Sequence, residues 1–479
     1  MGTLLVAIAF FGLMAIGMPV GFSIGVAGMI GILDMGPRFM QMAPDRIFAG
    51  LDLFPFLAMP FFILAGEIMN RSGITQGLVK LADALVGWMR GGMAHSNMVA
   101  SVMFAGITGS ATADAAAFGN TMVPAMQKAG YTRAYAAAVT AAGSIIGPTI
   151  PPSTLAIIYG SIMGVSIAGL FAAGILPGLL ICAICMGVIA LTARRKNLPK
   201  GAGRPSFRAV AQALREGFLA ALLPVFILGS ILGGFATPTE AAAIAVAYAL
   251  FVGGVVHRAL SWRDLYEIGV RTTRITGVIF LIIASASILG WWMTFNRIPQ
   301  AIATGLLAVS DNPQIIIALV LILLLLIGLV MDINATLIIL APVLAPLTVQ
   351  IGMEPVHAGI MIILALNISL MTPPVGACLF VLASVTGEKV EAITRELWPF
   401  IIAEVGILLV IAFWPGSASV QARRPPISPS AWRISTPKTR SPAIPARCRR
   451  CSSRWWNPIR TAVSRCNCSP TASSARITK

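Results

Sequence analysis

The chain has 479 residues, of which 57% are hydrophobic and 11% charged, with a mean hydropathy of +0.88. Soluble domains carry roughly 25% charged residues, so this composition excludes a soluble enzyme or binding module and identifies an integral membrane protein. The net charge of +17 does not mark a nucleic-acid surface, because residues 416–479 hold 13 of the 34 Lys and Arg and none of the 17 acids, leaving +4 for the rest.

In chain order, the first element is "TLLVAIAFFGLMAIGMPVGFSIGVAGMIGIL", about 30 apolar residues with no basic leader ahead of them. That is too long for the core of a signal peptide, and it reads as a first membrane segment. A small-residue stretch with several hydroxyls follows, "FAGITGSATADAAAFGNTMVPAM" (104–126), and then "GPTIPPST" (147–154), a Pro-Pro pair inside an otherwise apolar run. "LFAAGILPGLLICAICMGVIAL" (170–191) is long enough to span the roughly 20 residues of a bilayer core. The next loop carries Arg194, Arg195, Lys196, Lys200, Arg204, Arg208 and Arg215 with only Glu216 nearby, which makes it cytoplasmic by the positive-inside rule.

A connecting stretch (223–256) leads to "IIIALVLILLLLIGLVM" (315–331), to "LVMDINATLIILAPVLAPL" (329–347), and to a second Pro-Pro pair in "SLMTPPVG" (369–376). Hydropathy stops after "WPFIIAEVGILLVIAFWPG" (398–416). The remaining 416–479 can be read as a disordered basic tail touching anionic lipid, as a metal site on Cys448, Cys451, Cys466 and Cys468, or as out-of-frame translation. Its Arg/Pro/Ser/Ala richness without a single acid favours the frameshift, and the Cys spacing is a poor zinc signature.

An internal repeat organises the chain. Pro124, Gly130 and Pro151-Pro152 recur at identical spacings as Pro346, Gly352 and Pro373-Pro374, and the same constant offset pairs Ser110 with Asp332, Thr112 with Asn334 and Gly147 with Ser369. "MNRSG" (69–73) and "FNRIP" (295–299) pair with a four-residue slip. The halves run from about 50 to 190 and from about 275 to 415. Each predicts a re-entrant hairpin, turning near Pro124 to Gly130 in the first half, and then a helix that stops before Pro-Pro and restarts on it. The fold class is therefore all-α polytopic membrane protein with two inverted repeats, re-entrant hairpins and broken helices.

Breaks of this kind free carbonyls for a cation and N–H groups for an anion, and paired breaks point to the site of a secondary transporter. Carbonyls of Gly147 to Ile150 and Ser369 to Thr372 are candidate Na+ ligands, with Thr108, Ser110, Thr372 and Asp332 adding side-chain oxygens. The bland alternative is a pair of proline kinks. Asp332, an acid within a membrane segment, is a functional candidate; Asp114 either functions or caps a helix. Arg297 either grips a carboxylate or ends a helix at the interface, and Glu67 and Glu240 suit structural hydrogen bonding. His95, His257 and His357 are isolated, and Ser110 near Asp114 lacks a base, so no enzyme is expected.

"GITGSATADAAAFGNTMVPAMQKAGYTRAYAAAVTAAGSIIGPTIPPSTLAIIYG", "LFAAGILPGLL", "FATPTEAAAIAVAYAL" and "MTPPVGACLF" together resemble the large membrane subunit of TRAP transporters, the tripartite ATP-independent periplasmic type, over about residues 1–414. The resemblance implies a multi-pass permease of the bacterial inner membrane, importing an organic anion with Na+ by an elevator mechanism. A C4-dicarboxylate, a sugar acid or a keto acid would be the class of anion. The implied partners are a periplasmic substrate-binding protein, a small membrane subunit on a separate chain and membrane lipids; no nucleic acid is expected. By position, one Na+ site would use Thr108, Ser110, Gly147, Ile150 and Pro151, and a second Gly328, Ser369 and Thr372. Substrate would lie near Ser110, Asp332 and Arg297. A glycine is common in the family where this chain has Ser369. A channel-like or scaffold membrane protein, and an anion exchanger that needs no binding protein, are the alternatives.

Overall fold

The apolar run that opens the chain folds as two helices, where the sequence suggested one span. α1 (Gly2–Ala15) and α2 (Val20–Met35) are separated by Gly17, at a φ of +91°, and by Pro19 immediately ahead of α2. Glycine takes that left-handed conformation without a Cβ clash, and proline cannot continue the preceding helix. The computed structural model describes residues 2–199, 201, 207–310, 312–373 and 376–414. Lys200, Arg204, Pro374 and the segment 416–479, with all three readings of it, lie outside the described residues.

α3 (Met42–Leu51) and α4 (Ala58–Arg71), with their flanking turns, make a span bent by 60° at a short break. Pro55 follows that break and supplies no backbone N–H to bridge it. α5 (Ile74–Val86) leads to α6 (Gly92–Thr108) and α7 (Ala111–Lys128), which meet at Gly109 and Ser110. α8 (Arg133–Ser144) and α9 (Thr154–Met163) flank the first Pro-Pro pair, and α10 (Ile167–Arg195) follows. At 1.5 Å per residue the 29 residues of α10 reach about 44 Å, more than a bilayer core. Its exposed Leu176, Leu179, Leu180, Ile184 and Leu191 form the apolar face such a span turns to lipid.

α11 (Phe207–Leu232) and α12 (Pro238–Phe251) precede the longest helix, α13 (Trp262–Phe295). α12 opens on a capping box in which Glu240 Oε2 accepts from Thr237 N at 2.8 Å, the structural role expected of Glu240. α14 (Ile298–Val309), α15 (Pro313–Gly328), α16 (Ile333–Gln350), α17 (Pro355–Ser369), α18 (Ala377–Thr386) and α19 (Val390–Phe413) complete the described chain. Among the described residues there is no β-strand, and five helices, or six counting the bent α3–α4 pair as one, are long and apolar enough to cross a membrane. The all-α polytopic class is what the composition demanded.

Both bounds of α16 are displaced from those of α7 by the offset that separates the two Pro-Pro pairs, and the start of α17 is displaced equally from the start of α8. Two local expectations need correction. Pro124 lies inside α7, and Pro342 and Pro346 lie inside α16. The chain instead turns at the tips Gly109–Ser110 and Leu329–Asp332, where a left-handed glycine (Gly109, φ +59°) and an Asp cap end one helix and start the next. Nor does α9 restart on the prolines: Ser153 caps it, accepting from Ala156 N at 3.3 Å, and Pro151-Pro152 stay in the break.

Candidate functional site

Small residues bring the first tip against the first break. A Cβ on Gly109 would collide with the Pro152 carbonyl, and Thr154 Oγ1 donates to the Gly109 carbonyl at 3.3 Å. Just before the tip, Thr108 Oγ1 donates to Asp114 Oδ1. The other oxygen, Asp114 Oδ2, has no hydrogen-bond partner among the described residues, although Asp114 is fully buried. It points at Gly147, where any Cβ would strike it. Thr108, half-buried at the cavity, and the buried Asp114 and Gly147 therefore form one cluster in which glycine is required to admit the carboxylate. Ile150 lies on the same break, packed where a Cβ on Gly178 would be.

The second tip repeats the contact with a different residue. A Cβ on Gly328 would collide with the side chain of Ser369, so α15 ends directly against the end of α17. The Ser369 hydroxyl is turned onto its own helix, donating to Leu366 O at 2.7 Å, and Thr372 Oγ1 donates to Ile368 O at 2.8 Å. Both hydroxyls can still accept through their lone pairs. The two breaks are joined: Asn367 Nδ2 donates to Thr149 Oγ1 at 3.1 Å, while the buried Asn367 Oδ1 has no partner among the described residues. Asp332 caps α16, its Oδ2 accepting from Asn334 N at 2.9 Å and Ala335 N at 3.3 Å.

Between the tips lies a cavity of about 510 Å³. Thr108, Ser110 and Thr112 line it from the first tip, Pro148 and Thr154 from the first break, Asp332 and Asn334 from the second tip, and Leu370 and Ala377 from the second break. The opposite wall is α4 with Glu67 and Asn70, and α13 with Arg271 and Arg274. Hydroxyls, an amide, carboxylates and guanidinium groups converging in one concavity suit a polar anionic ligand of moderate size.

Of the three substrate positions named from the sequence, Ser110 and Asp332 line the cavity together. Arg297 does not line it: it holds a left-handed turn (φ +54°) at the start of α14, about 35 Å along α13 from Arg274 at 1.5 Å per residue. The Na+ candidates fall in two groups, with Thr108 and Gly147 in contact with Asp114, and Gly328 in contact with Ser369. The sequence reading passed over Arg271, Arg274 and Asn367. Arg271 and Arg274 are spaced i, i+3 within a membrane helix, a signal that was available; what Asn367 faces was not. Glu67 pairs with Arg271 at 3.2 Å.

The profile of the tripartite ATP-independent periplasmic transporter family, DctM component, matches residues 7–417. The sialic acid TRAP transporter large permease protein SiaM of Vibrio cholerae serotype O1 is 38% identical over 407 residues, covering 84% of this chain and 94% of its own length. The 2,3-diketo-L-gulonate TRAP transporter large permease protein YiaN of Escherichia coli K12 is 35% identical over 401 residues, covering 84% of this chain and 94% of its own. In fold, the chain is similar to the YdaH transporter of Alcanivorax borkumensis, with a TM-score of 0.56 at 17% identity over 80% of this chain and 89% of that one.

Proposed function

The chain belongs to the DctM component of the tripartite ATP-independent periplasmic transporters, multi-pass proteins of the bacterial inner membrane, and from that membership we propose that it imports an organic anion driven by Na+, by an elevator mechanism. The observation that carries this reading is that two tips and two helix breaks, one of each from either half of the chain, line one cavity. The tips and breaks would move as a unit against α4 and α13, carrying substrate and ion together. The substrate is a carboxylate such as a sugar acid, a keto acid or a C4-dicarboxylate, held by Ser110 and the α16 N-terminus at Asp332.

Na+ is the co-substrate. Its first site uses Thr108, Ser110, Gly147, Ile150 and Pro151, and its second Gly328, Ser369 and Thr372. The fit is supported at the first site by the fully buried Asp114, which has an oxygen without a partner among the described residues, directed at the Gly147 backbone. A buried carboxylate left alone is costly, and a bound cation offsets that cost. Na+ binding there would also draw the first tip onto the first break, which couples ion occupancy to the shape of the cavity wall.

A separate small membrane subunit and a periplasmic binding protein complete the system. The test is uptake into proteoliposomes holding the chain with its small subunit, with radiolabelled N-acetylneuraminate, 2,3-diketo-L-gulonate or succinate outside. Accumulation of one acid is expected only with an inward Na+ gradient and an added binding protein. Flux indifferent to the gradient would establish the channel-like alternative, and accumulation without the binding protein would establish the exchanger.

A further inference from the structure

The wall of the cavity opposite the tips carries a charge ladder with one rung missing. Asp264, Glu267, Arg271 and Arg274 follow one another along α13 at spacings of three, four and three residues, so they share one helix face. On α4, Ile63, Glu67 and Arg71 are each four apart and likewise share a face. The two stripes are matched in opposite directions. Arg71 Nε donates to Asp264 Oδ1 at 2.8 Å and Arg71 also pairs with Glu267 at 3.2 Å, while Arg271 pairs with Glu67 at 3.2 Å. One turn deeper, Arg274 should meet the α4 residue at position 63, which is Ile63, and both line the cavity.

Arg274 has no ion pair or hydrogen bond among the described residues, and no acid around the cavity is paired with it. Glu67 is held by Arg271, and Asp332, across the cavity on α16, turns one carboxylate oxygen onto its own helix as the cap and has no ion pair with Arg274. Asp114 on α7 is fully buried behind the tip, bonded to Thr108. Arg274 is exposed toward the cavity on a helix long and apolar enough to span a membrane, and ionisable groups on such helices mark ligand pathways. A smaller cavity of about 300 Å³, lined by Glu67, Asn70, Arg71, Glu267, Ile268 and Arg271, shares Glu67, Asn70 and Arg271 with the main one, so a charged vestibule adjoins the unmatched arginine.

We propose that Arg274 is a carboxylate subsite on the α13 wall: the substrate's own carboxylate supplies the missing rung, binding the planar fork of Arg274 while Ser110 and Asp332 address the polar remainder of the molecule. Arg271, clamped by Glu67, adds positive potential beside the subsite without being consumed by it. The subsite selects organic acids with at least one free carboxylate and rejects their esters and amides. This rests on the carrier reading above and deepens it: in the position of the tips that this structure shows, the anion's charged end meets a residue of the fixed wall, which it leaves when the tips and breaks carry it across.

The test uses the same reconstituted system and the same three radiolabelled acids, comparing the wild type with Arg274→Gln, Arg274→Lys and, as control, Arg263→Gln at the exposed start of α13. Loss of a charge-assisted, two-pronged hydrogen bond is expected to raise the half-saturating concentration of the transported acid by about tenfold to a hundredfold in Arg274→Gln, with the maximal rate unchanged. Arg274→Lys keeps the charge but not the fork and falls between; Arg263→Gln behaves as the wild type. Because Arg274 has no partner to lose among the described residues, the substitution should leave reconstitution yield intact, and Arg274→Lys tests the charge even if it does not. Half-saturation in Arg274→Gln equal to the wild type's, or an equal rise in Arg263→Gln, would overturn the subsite while leaving the carrier standing. A wild type silent toward all three acids would overturn the carrier reading and the subsite with it.

Discussion

At the scale of single residues, the second tip offers the cleanest test of how closely tip and break are fitted. Gly328 has room for no side chain, and the atoms a Cβ would meet are the Cβ and Oγ of Ser369. Gly328→Ala should therefore overpack the contact and cost about 1–3 kcal/mol, read as a fall in thermal unfolding temperature in detergent. Ser369→Gly removes the colliding atoms. The double variant should recover most of the loss, and a cycle showing simple additivity would mean that the two residues do not meet. In the first half the fit is reversed, with a glycine of the break admitting a side chain of the tip: Gly147 makes space for the Asp114 carboxylate where Gly328 makes space for the Ser369 hydroxyl. Both glycines could be located in the sequence from their proximity to the polar tips and the Pro-Pro pairs. The reason each is a glycine could not, because the colliding side chain, Asp114 for one and Ser369 for the other, belongs to a different helix far along the chain.

Among elements, the decisive relation is that the two breaks touch each other. Asn367, in the last turn of α17, reaches Thr149 in the break between α8 and α9, so the two halves are hydrogen-bonded at the points where each helix is interrupted. Interhelical hydrogen bonds in membrane proteins contribute on average about 0.6 kcal/mol and at most about 1.7 kcal/mol. Asn367→Leu and Thr149→Val should each cost about that much, and the pair together little more than either alone, measured by chemical unfolding in micelles. Full additivity would show that the bond is not formed in the native state.

This is also the scale at which the sequence was most informative. The interruptions at both Pro-Pro pairs and the common offset that relates α7 to α16 follow from proline chemistry and self-similarity alone. The bend between α3 and α4 was not foreseen, because a single Pro55 in an apolar stretch does not distinguish a break from a kink. The turn positions were misplaced for a related reason: a proline can ride within a membrane helix, as Pro124, Pro177 and Pro346 do, so Gly109 and Asp332 were the better punctuation. Arg297 illustrates a further limit. Its charge in an apolar stretch was legible, but the length of α13, which carries it away from the cavity, emerges only when the whole helix is laid out.

For the molecule as a whole, the proposed division of labour between moving and fixed parts makes a prediction that does not depend on knowing the substrate. If Na+ ties the tips to the breaks, amide protection on adding Na+ should rise where those segments meet and nowhere else. In hydrogen exchange of the full chain in detergent, peptides covering residues 107–114, 145–153, 328–335 and 366–373 should exchange more slowly in NaCl than in choline chloride. Peptides of α2, α3, α4 and α13 should be unchanged, because the proposed ion sites draw every ligand from the tips and breaks and none from these helices. α2 and α13 are instead closed on each other by small residues: a Cβ on Gly28 would press on Leu289 and one on Gly31 on the Trp292 ring, so this pair has no slack to take up. The physical basis is that an ion bound to the folded form alone raises the free energy of local opening only in the segments that hold it. Uniform slowing along the chain would point instead to a general salt effect on the micelle. Slowing in α13 but not in the tips would reverse the assignment of fixed and moving parts. Because the first cluster contains the fully buried carboxylate of Asp114, with an oxygen that has no partner among the described residues, whereas Asp332 at the second tip already accepts two backbone N–H groups as the cap of α16, protection should appear at lower Na+ concentration in 107–114 and 145–153 than in 328–335 and 366–373. That order would identify which of the two proposed sites takes up the ion first.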